Sequence, residues 1–321
     1  MSIQSVPTID IAPLLDSTSG IPECERCVQE ISDACSDWGF FYVENHGISK
    51  EEIQSFRSNM DSFFHLPRED LYSMKRTEQN SRGYFDDELT KNKLDWKRCF
   101  DFGAQSGLLD NEGLDGKNQW PTKDQHASFE VSMCRYFFKM EALSKSLLGA
   151  ICLSLKLEVG ALQQHFDGNH TSYLRLNYYP KCPDPSSNLA VHHHTDAGAL
   201  TVLYQDDAVT SLQVQKDNEW HFIPPRKDTF VINVGDMIQV WSNDRYKAPL
   251  HQVQAHSTKE RYSAPFFYNP AYKADVAPLV VKTEEAVYNT INWGEFRAKR
   301  FAGDYADVGE EVQISNFIKR V

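Results

Sequence analysis

Residues 191–196 read Val191-His192-His193-His194-Thr195-Asp196, a run in which imidazoles and a carboxylate stand close enough to share one ion. In an extended strand alternate side chains share a face. His192, His194 and Asp196 are therefore expected on one side, with His193 and Thr195 on the other. A neutral imidazole and a carboxylate two residues apart supply two ligands of a facial 2-His-1-carboxylate set; the third must be a histidine from a distant strand. His251 opens a β-type run after a long, turn-rich interval, with room for several short strands that bring the chain back beside its start. A structural zinc site is the competing reading, but zinc in that role closes its shell with four ligands, often thiolates, and no cysteine lies in this run. Three protein ligands leave open positions, which favours oxygen chemistry without naming iron.

A second group follows at Arg261-Tyr262-Ser263. Arg261 and Ser263 alternate onto one strand face, and a guanidinium fork beside a hydroxyl suits a buried carboxylate. Asn177 and Tyr179, in Asn177-Tyr178-Tyr179-Pro180, likewise share a face and offer two polar tips. Arg175 alternates with them and is expected to point into the same space, where a buried guanidinium needs an anion, either a substrate carboxylate or a protein acid. His192, on the face of His194, is a candidate for the pocket wall. Lys97-Arg98 after Trp96 is read as a solvated face, and Cys24-x-x-Cys27 as part of a helix rather than a redox pair.

These residues need a scaffold, and the chain changes character near residue 170. Before it the pattern is mainly helical. Cys27, Ile31, Ala34, Cys35 and Trp38 recur at helical steps within residues 23–38, and residues 39–43 then read as a strand. Ser49 followed by Glu52 is a capping-box pattern opening a helix through Ile53, Phe56, Met60 and Phe64. Residues 80–118 are polar and read as irregular. Phe129, Met133, Phe137, Met140, Ser144, Leu147 and Ile151 mark one face of a long helix over residues 126–157. After residue 170, short β-rich runs lie at 173–179, 189–196, 200–205, 212–215, 220–223, 230–234, 238–241, 251–255 and 262–268, separated by turn residues. Many short strands at this spacing predict a sandwich or barrel, with a covering helix at 292–301.

Composition narrows the class. A hydrophobic fraction of 41% in 321 residues can fill a sizeable core, and no repeat or linker divides the chain. The net charge of −12, without a basic block, disfavours nucleic acid and anionic membrane surfaces as partners. No run is long and apolar enough to span a bilayer, and residues 1–15 lack the features of a secretory signal. Seven scattered cysteines in so large a chain are expected to be reduced thiols, hence a cytoplasmic, soluble monomer.

Taken together, the chain resembles the isopenicillin-N-synthase-like family of iron(II)- and 2-oxoglutarate-dependent dioxygenases. Its N-terminal part carries Pro7-Thr8-Ile9-Asp10, Trp38-Gly39-Phe40-Phe41-Tyr42-Val43-Glu44-Asn45-His46-Gly47-Ile48, Phe63-Phe64-His65-Leu66-Pro67 and Arg82-Gly83-Tyr84. Its C-terminal part carries Asn177-Tyr178-Tyr179-Pro180, His194-Thr195-Asp196 with Leu200-Thr201, Asn233-Val234-Gly235-Asp236, His251-Gln252-Val253 and Arg261-Tyr262-Ser263. The resemblance implies a mainly β fold with α flanks, a double-stranded β-helix (jelly roll) core backed by a long helix. It implies one compact unit, with an N-terminal helical and strand region (1–120), backing helices (121–170), a catalytic core (171–275) and a helical C-terminal covering (276–321). It implies Fe(II) at His194, Asp196 and His251, 2-oxoglutarate on Arg261 and Ser263 with Asn177 and Tyr179 near its chelating end, and ascorbate as a candidate reductant. Phe267 matches a position that lines the substrate pocket. The implied activity is O2-dependent oxidation of a C–H bond of a small secondary metabolite by hydroxylation, desaturation or ring closure, with release of succinate and CO2. Relatives that dispense with 2-oxoglutarate carry the same arginine and serine, so a cosubstrate-free oxidase is the alternative, and a non-catalytic binding module a third. Asp244 and Gln252 stand where the family often has Gly and Arg; neither belongs to the implied ligand set.

Overall fold

The computed structural model describes the chain except residues 1–4, 17, 91, 105–114, 122–126, 168, 281–283, 303–310 and 320–321. An eight-stranded sheet runs in the order Thr8–Asp10, Phe40–Glu44, Phe230–Val234, Leu200–Gln205, Arg261–Tyr268, Tyr173–Tyr179, Arg98–Gly103, Gly83–Phe85. A four-stranded sheet runs Glu219–Phe222, Leu212–Lys216, His251–Gln254, Leu189–His194. Together they form the jelly-roll core.

Period-2 alternation assigns the two faces of the large sheet. Phe41 and Val43, Leu174 and Leu176, and Tyr262, Ala264 and Phe266 turn toward the helices. Phe40, Tyr42 and Tyr179 turn inward, with Leu212, Val214, Val191 and Val253 from the smaller sheet. Three helices cover the outer face: Ile21–Asp37, Lys50–Phe64 and Ala127–Ser154. The last has 28 residues, so at about 1.5 Å per residue it spans about 42 Å, and it lies against Leu200–Gln205 and Arg261–Tyr268 in the middle of the sheet. Met133, Phe137, Met140, Leu147 and Ile151, a stripe legible in the sequence, are its buried side. Its expected beginning at residue 126 lies outside the described residues. Among those residues no helix is long and apolar enough to cross a membrane.

The capping box is present in full. Ser49 Oγ accepts from Glu52 N–H at 3.2 Å, and Glu52 Oε2 accepts from Ser49 N–H at 3.2 Å. Ser49→Ala is expected to cost about 1 kcal/mol of stability, and an unchanged urea midpoint would contradict that.

Two sequence expectations are corrected. The stretch 80–118 is not irregular throughout: among its described residues Gly83–Phe85 and Arg98–Gly103 extend the large sheet, and Leu89–Thr90 pairs with Lys93–Leu94 as a hairpin. The strand pattern was masked because Asp101, a polar residue on an inward position, is buried opposite Arg175. Residues 238–241 are not a strand but part of the helix Asp236–Trp241. A short, wholly buried apolar run carries no periodicity to separate the two forms.

Candidate metal centre

His194 and His251 are direct partners across the antiparallel pair of Leu189–His194 and His251–Gln254, and their ring centroids lie 4.3 Å apart. Asp196 follows in the turn after the first of these strands. Its backbone carbonyl accepts from Asp236 N–H at 2.8 Å, and Met237 N–H donates to Gly198 O at 2.9 Å, fastening the turn to the neighbouring helix start. Gly235 is required there, since a Cβ would run into the backbone oxygens of Gly198 and Asp196. Asp196 Oδ2 accepts from Asn233 Nδ2 at 2.7 Å and from Thr201 Oγ1. That leaves Oδ1 facing His194 Nε2 at 3.5 Å and His251 Nε2 at 3.6 Å.

Both imidazoles are oriented from behind. His194 Nδ1 lies 2.8 Å from His192 O and His251 Nδ1 lies 3.1 Å from Pro249 O. A carbonyl can only accept, so each Nδ1 carries a proton, which directs each Nε2 to the centre as the ligand atom. Burial, reinforced by the neighbouring His194, pushes His251 down to about 4. At His194 burial is outweighed by the contacts with Asp196, which raise the pKa, so that a metal ion binding there would displace a proton from Nε2. Burial opposes ionisation of Asp196, but the facing histidines and its hydrogen bonds outweigh it and hold the carboxylate ionised. One ligand atom from each of His194, Asp196 and His251 lies within 4.8 Å of the others. Two imidazoles, each neutral once it ligates, and one carboxylate on one side of a cavity fit a divalent iron with open positions.

The same cavity extends to the large sheet, where Arg261 pairs with Tyr179 and Ser263 with Asn177 across neighbouring strands. Tyr179 OH and Asn177 Nδ2 converge on Ser263 Oγ at 3.1 and 3.4 Å. Arg261 is 2% exposed and donates from Nη2 to Gln205 Oε1, while its Nε and Nη1 have no hydrogen-bond partner among the described residues. Unsatisfied buried donors on a guanidinium are costly, and a dicarboxylate spanning from the His/Asp cluster would satisfy them.

Phe267 lines this cavity, its ring 4.8 Å from that of Tyr173. Three other expectations are corrected. Arg175 does face the cavity, but donates from Nε and Nη2 to Asp101 at 2.9 and 2.8 Å and sets Nη1 2.7 Å from Glu88 Oε1. Two protein carboxylates meet it, so its burial calls for no substrate anion. His192 does not share the face of His194. Val191 opposes Val253 while His194 opposes His251, so His192 and His193 together stand across from Gln252 alone. This β-bulge resets the alternation, and Val191 rather than His192 joins His194 on the cavity wall. Lys97 is not solvated but buried, with Nζ 2.5 Å from Glu88 Oε2 and 3.1 Å from Asp95 Oδ2. Glu88, Asp95 and Asp101 were missed in the sequence because they lie in the stretch read as irregular; Thr201 and Asn233, which hold Asp196, were present in its motifs without a role.

Residues 170–270 match the model of the 2OG-Fe(II) oxygenase superfamily, and residues 6–123 match that of the non-haem dioxygenase in morphine synthesis N-terminal region. The chain is 35% identical over 279 residues to jasmonate-induced oxygenase 2 of Arabidopsis thaliana, covering 86% of this chain and 72% of that one. It is 31% identical over 318 residues to 1-aminocyclopropane-1-carboxylate oxidase 5 of Arabidopsis thaliana, covering 95% and 94%. A crystal structure of JOX2 in complex with 2OG, Fe and JA superposes with a TM-score of 0.83 at 31% identity, covering 98% of this chain and 89% of that one.

Proposed function

The chain belongs to the 2OG-Fe(II) oxygenase superfamily, and from that premise we propose that His194, Asp196 and His251 hold its iron while Arg261 and Ser263 hold the distal carboxylate of 2-oxoglutarate. It is an Fe(II)- and 2-oxoglutarate-dependent dioxygenase acting on a small metabolite. When bound, iron and 2-oxoglutarate supply O2-dependent oxidation of a C–H bond, with release of succinate and CO2. The protein's own residues do the rest. Thr201 and Asn233 fix the Asp196 carboxylate, the carbonyls of His192 and Pro249 fix the two imidazoles, and Tyr179 and Asn177 orient the Ser263 hydroxyl. Phe40, Leu203, Leu212 and Val253 wall the cosubstrate end with apolar surface, excluding water from it. The observation that carries this reading is the pair of unsatisfied Arg261 donors in the same cavity as the ligand triad.

The substrate is a compact, carboxylate-bearing metabolite, and its anion faces Arg297. Asp115 is shared by two guanidinium groups, Arg82 and Arg297, which leaves one positive charge in excess within that trio. The neighbouring cluster of Glu88, Asp95, Asp101, Lys97 and Arg175 has one carboxylate in excess, so it is the local charge at Arg297 that favours an anion. Arg297 lines the outer cavity beside Tyr173, Phe267 and Trp293. The name of the 1-aminocyclopropane-1-carboxylate oxidase relative supports a small acid. A panel of small acids, their amides and neutral polyphenols, screened for substrate-dependent succinate release, tests this, and release only with the neutral compounds would refute it. Arg297→Met is expected to raise KM for the acid about tenfold or more while KM for 2-oxoglutarate holds. Asp115 retains Arg82 in that variant, so no buried charge is stranded. An unchanged KM for the acid would remove Arg297 from the site.

A further inference from the structure

The bulge that turns His194 toward His251 is held by a carboxylate from another part of the chain. Asp95 follows the Leu89–Thr90/Lys93–Leu94 hairpin and is buried, and each of its oxygens has a defined task. Oδ1 accepts from the backbone N–H of His192 at 3.0 Å and lies 2.9 Å from His192 Nδ1. Oδ2 accepts from Thr90 Oγ1 at 2.8 Å and faces Lys97 Nζ at 3.1 Å. Lys97 in turn reaches Glu88, and Glu88 reaches Arg175, which Asp101 also grips. The segment is stitched to the same strand by its backbone too, since Trp96 N–H donates to Leu189 O at 3.0 Å.

His192 is the residue whose carbonyl accepts from His194 Nδ1–H. Asp95 therefore grips, by main chain and side chain, the residue that sets the angle of a ligand imidazole. A bulged residue lacks the regular ladder partner that would otherwise hold it. Groups that orient a metal ligand from behind typically contribute 10–100-fold in metal affinity. We propose that Asp95, braced by Lys97 and Thr90, is a positioning residue of the metal centre: it locks the His192–His193 bulge so that His194 presents Nε2 to the ion. The proposal rests on His194 being an iron ligand, as argued above.

The geometry separates reach from charge. Asp95→Asn alone would turn its amide NH2 on Lys97 Nζ, donor against donor, so it is paired with Lys97→Met. The double variant retains an oxygen at the same distance from His192 N–H, its NH2 can donate to Thr90 Oγ1, and Glu88 keeps Arg175 as its counter-charge. Asp95→Glu retains the charge but carries the carboxylate one methylene too far. The test is anaerobic titration of each purified, metal-free variant with Co(II), reading affinity and the visible spectrum of the bound ion, with circular dichroism to establish folding. Wild type should bind one Co(II), and His194→Ala should not; failure of that arm would refute the ligand assignment and not only the role of Asp95. Asp95→Asn/Lys97→Met is expected to stay within about threefold of wild type with an unaltered spectrum. Asp95→Glu and Asp95→Ala are expected to lose about 10–100-fold in affinity, with altered band shape at saturation. Should Asp95→Ala not fold, Asp95→Glu and Asp95→Asn/Lys97→Met decide the matter between them. Wild-type affinity and spectrum in folded Asp95→Glu would overturn the proposal. So would a loss in folded Asp95→Asn/Lys97→Met as large as that of Asp95→Glu, since the role would then be one of charge.

Discussion

Alanine at any one of His194, Asp196 or His251 is expected to reduce bound iron and turnover to background, whereas His193→Ala keeps both. The three ligand atoms come from two strands and a turn that are fixed independently. His194 and His251 face each other across a ladder, and Asp196 is pinned through its second oxygen by Thr201 and Asn233. With only three protein ligands available, removal of one leaves two, too few to hold a labile divalent ion against water. The aspartate variant carries a further cost, because Thr201 and Asn233 then lose their acceptor in a buried site. Metal content after anaerobic reconstitution, measured beside turnover, checks the set. Loss of iron in His193→Ala as complete as in His194→Ala would show that the register of the bulged strand is wrong.

Arg261→Ala should raise KM for 2-oxoglutarate roughly ten- to hundredfold and leave Fe(II) affinity nearly unchanged. A charge-assisted hydrogen bond contributes about 1.5–3 kcal/mol, and the guanidinium has two donors free to make one or more to the same carboxylate. Gln205, the described partner of Nη2, cannot replace a positive charge. Arg261→Lys should fall between the two, since it restores the charge but not the planar fork. Initial rates of succinate formation over a range of 2-oxoglutarate concentrations give the answer. An unchanged KM in Arg261→Ala would take this residue out of the cosubstrate site and favour an oxidase that needs no 2-oxoglutarate.

The parts of the molecule legible in the sequence are those where local pattern and tertiary role coincide. The Ser49/Glu52 box is settled within four residues, and the stripe from Met133 to Ile151 needs only a sheet to lie against. Runs such as 173–179, 200–205 and 230–234 appear as the strands Tyr173–Tyr179, Leu200–Gln205 and Phe230–Val234 because turn residues bound them on both sides. The site was harder where one residue overrides a rule. Alternation placed His192 with His194, and a single extra residue opposite Gln252 reversed it. No local pattern announces that bulge, because what holds it is Asp95, distant in the chain. The paired charges were hidden for the same reason. Lys97 reads as a solvated residue and Arg175 as a buried cation in need of an anion, and Glu88 and Asp101 have no reading of their own until the hairpin and the paired strands bring the four together. Arg175 shows the consequence most plainly: a buried cation was inferred correctly, but its counter-ions are Asp101 and Glu88.

One ion at His194, Asp196 and His251 and one 2-oxoglutarate at Arg261 are expected to share a single cavity. Equilibrium dialysis under anaerobic conditions measures this: metal-free protein is titrated with Fe(II), then with labelled 2-oxoglutarate in the presence and absence of the metal. The expected result is one iron per chain, one 2-oxoglutarate bound tightly only when iron is present, and loss of the second without the first in Arg261→Ala. Iron binding with no effect on 2-oxoglutarate, or 2-oxoglutarate binding that survives Arg261→Ala unchanged, would contradict it.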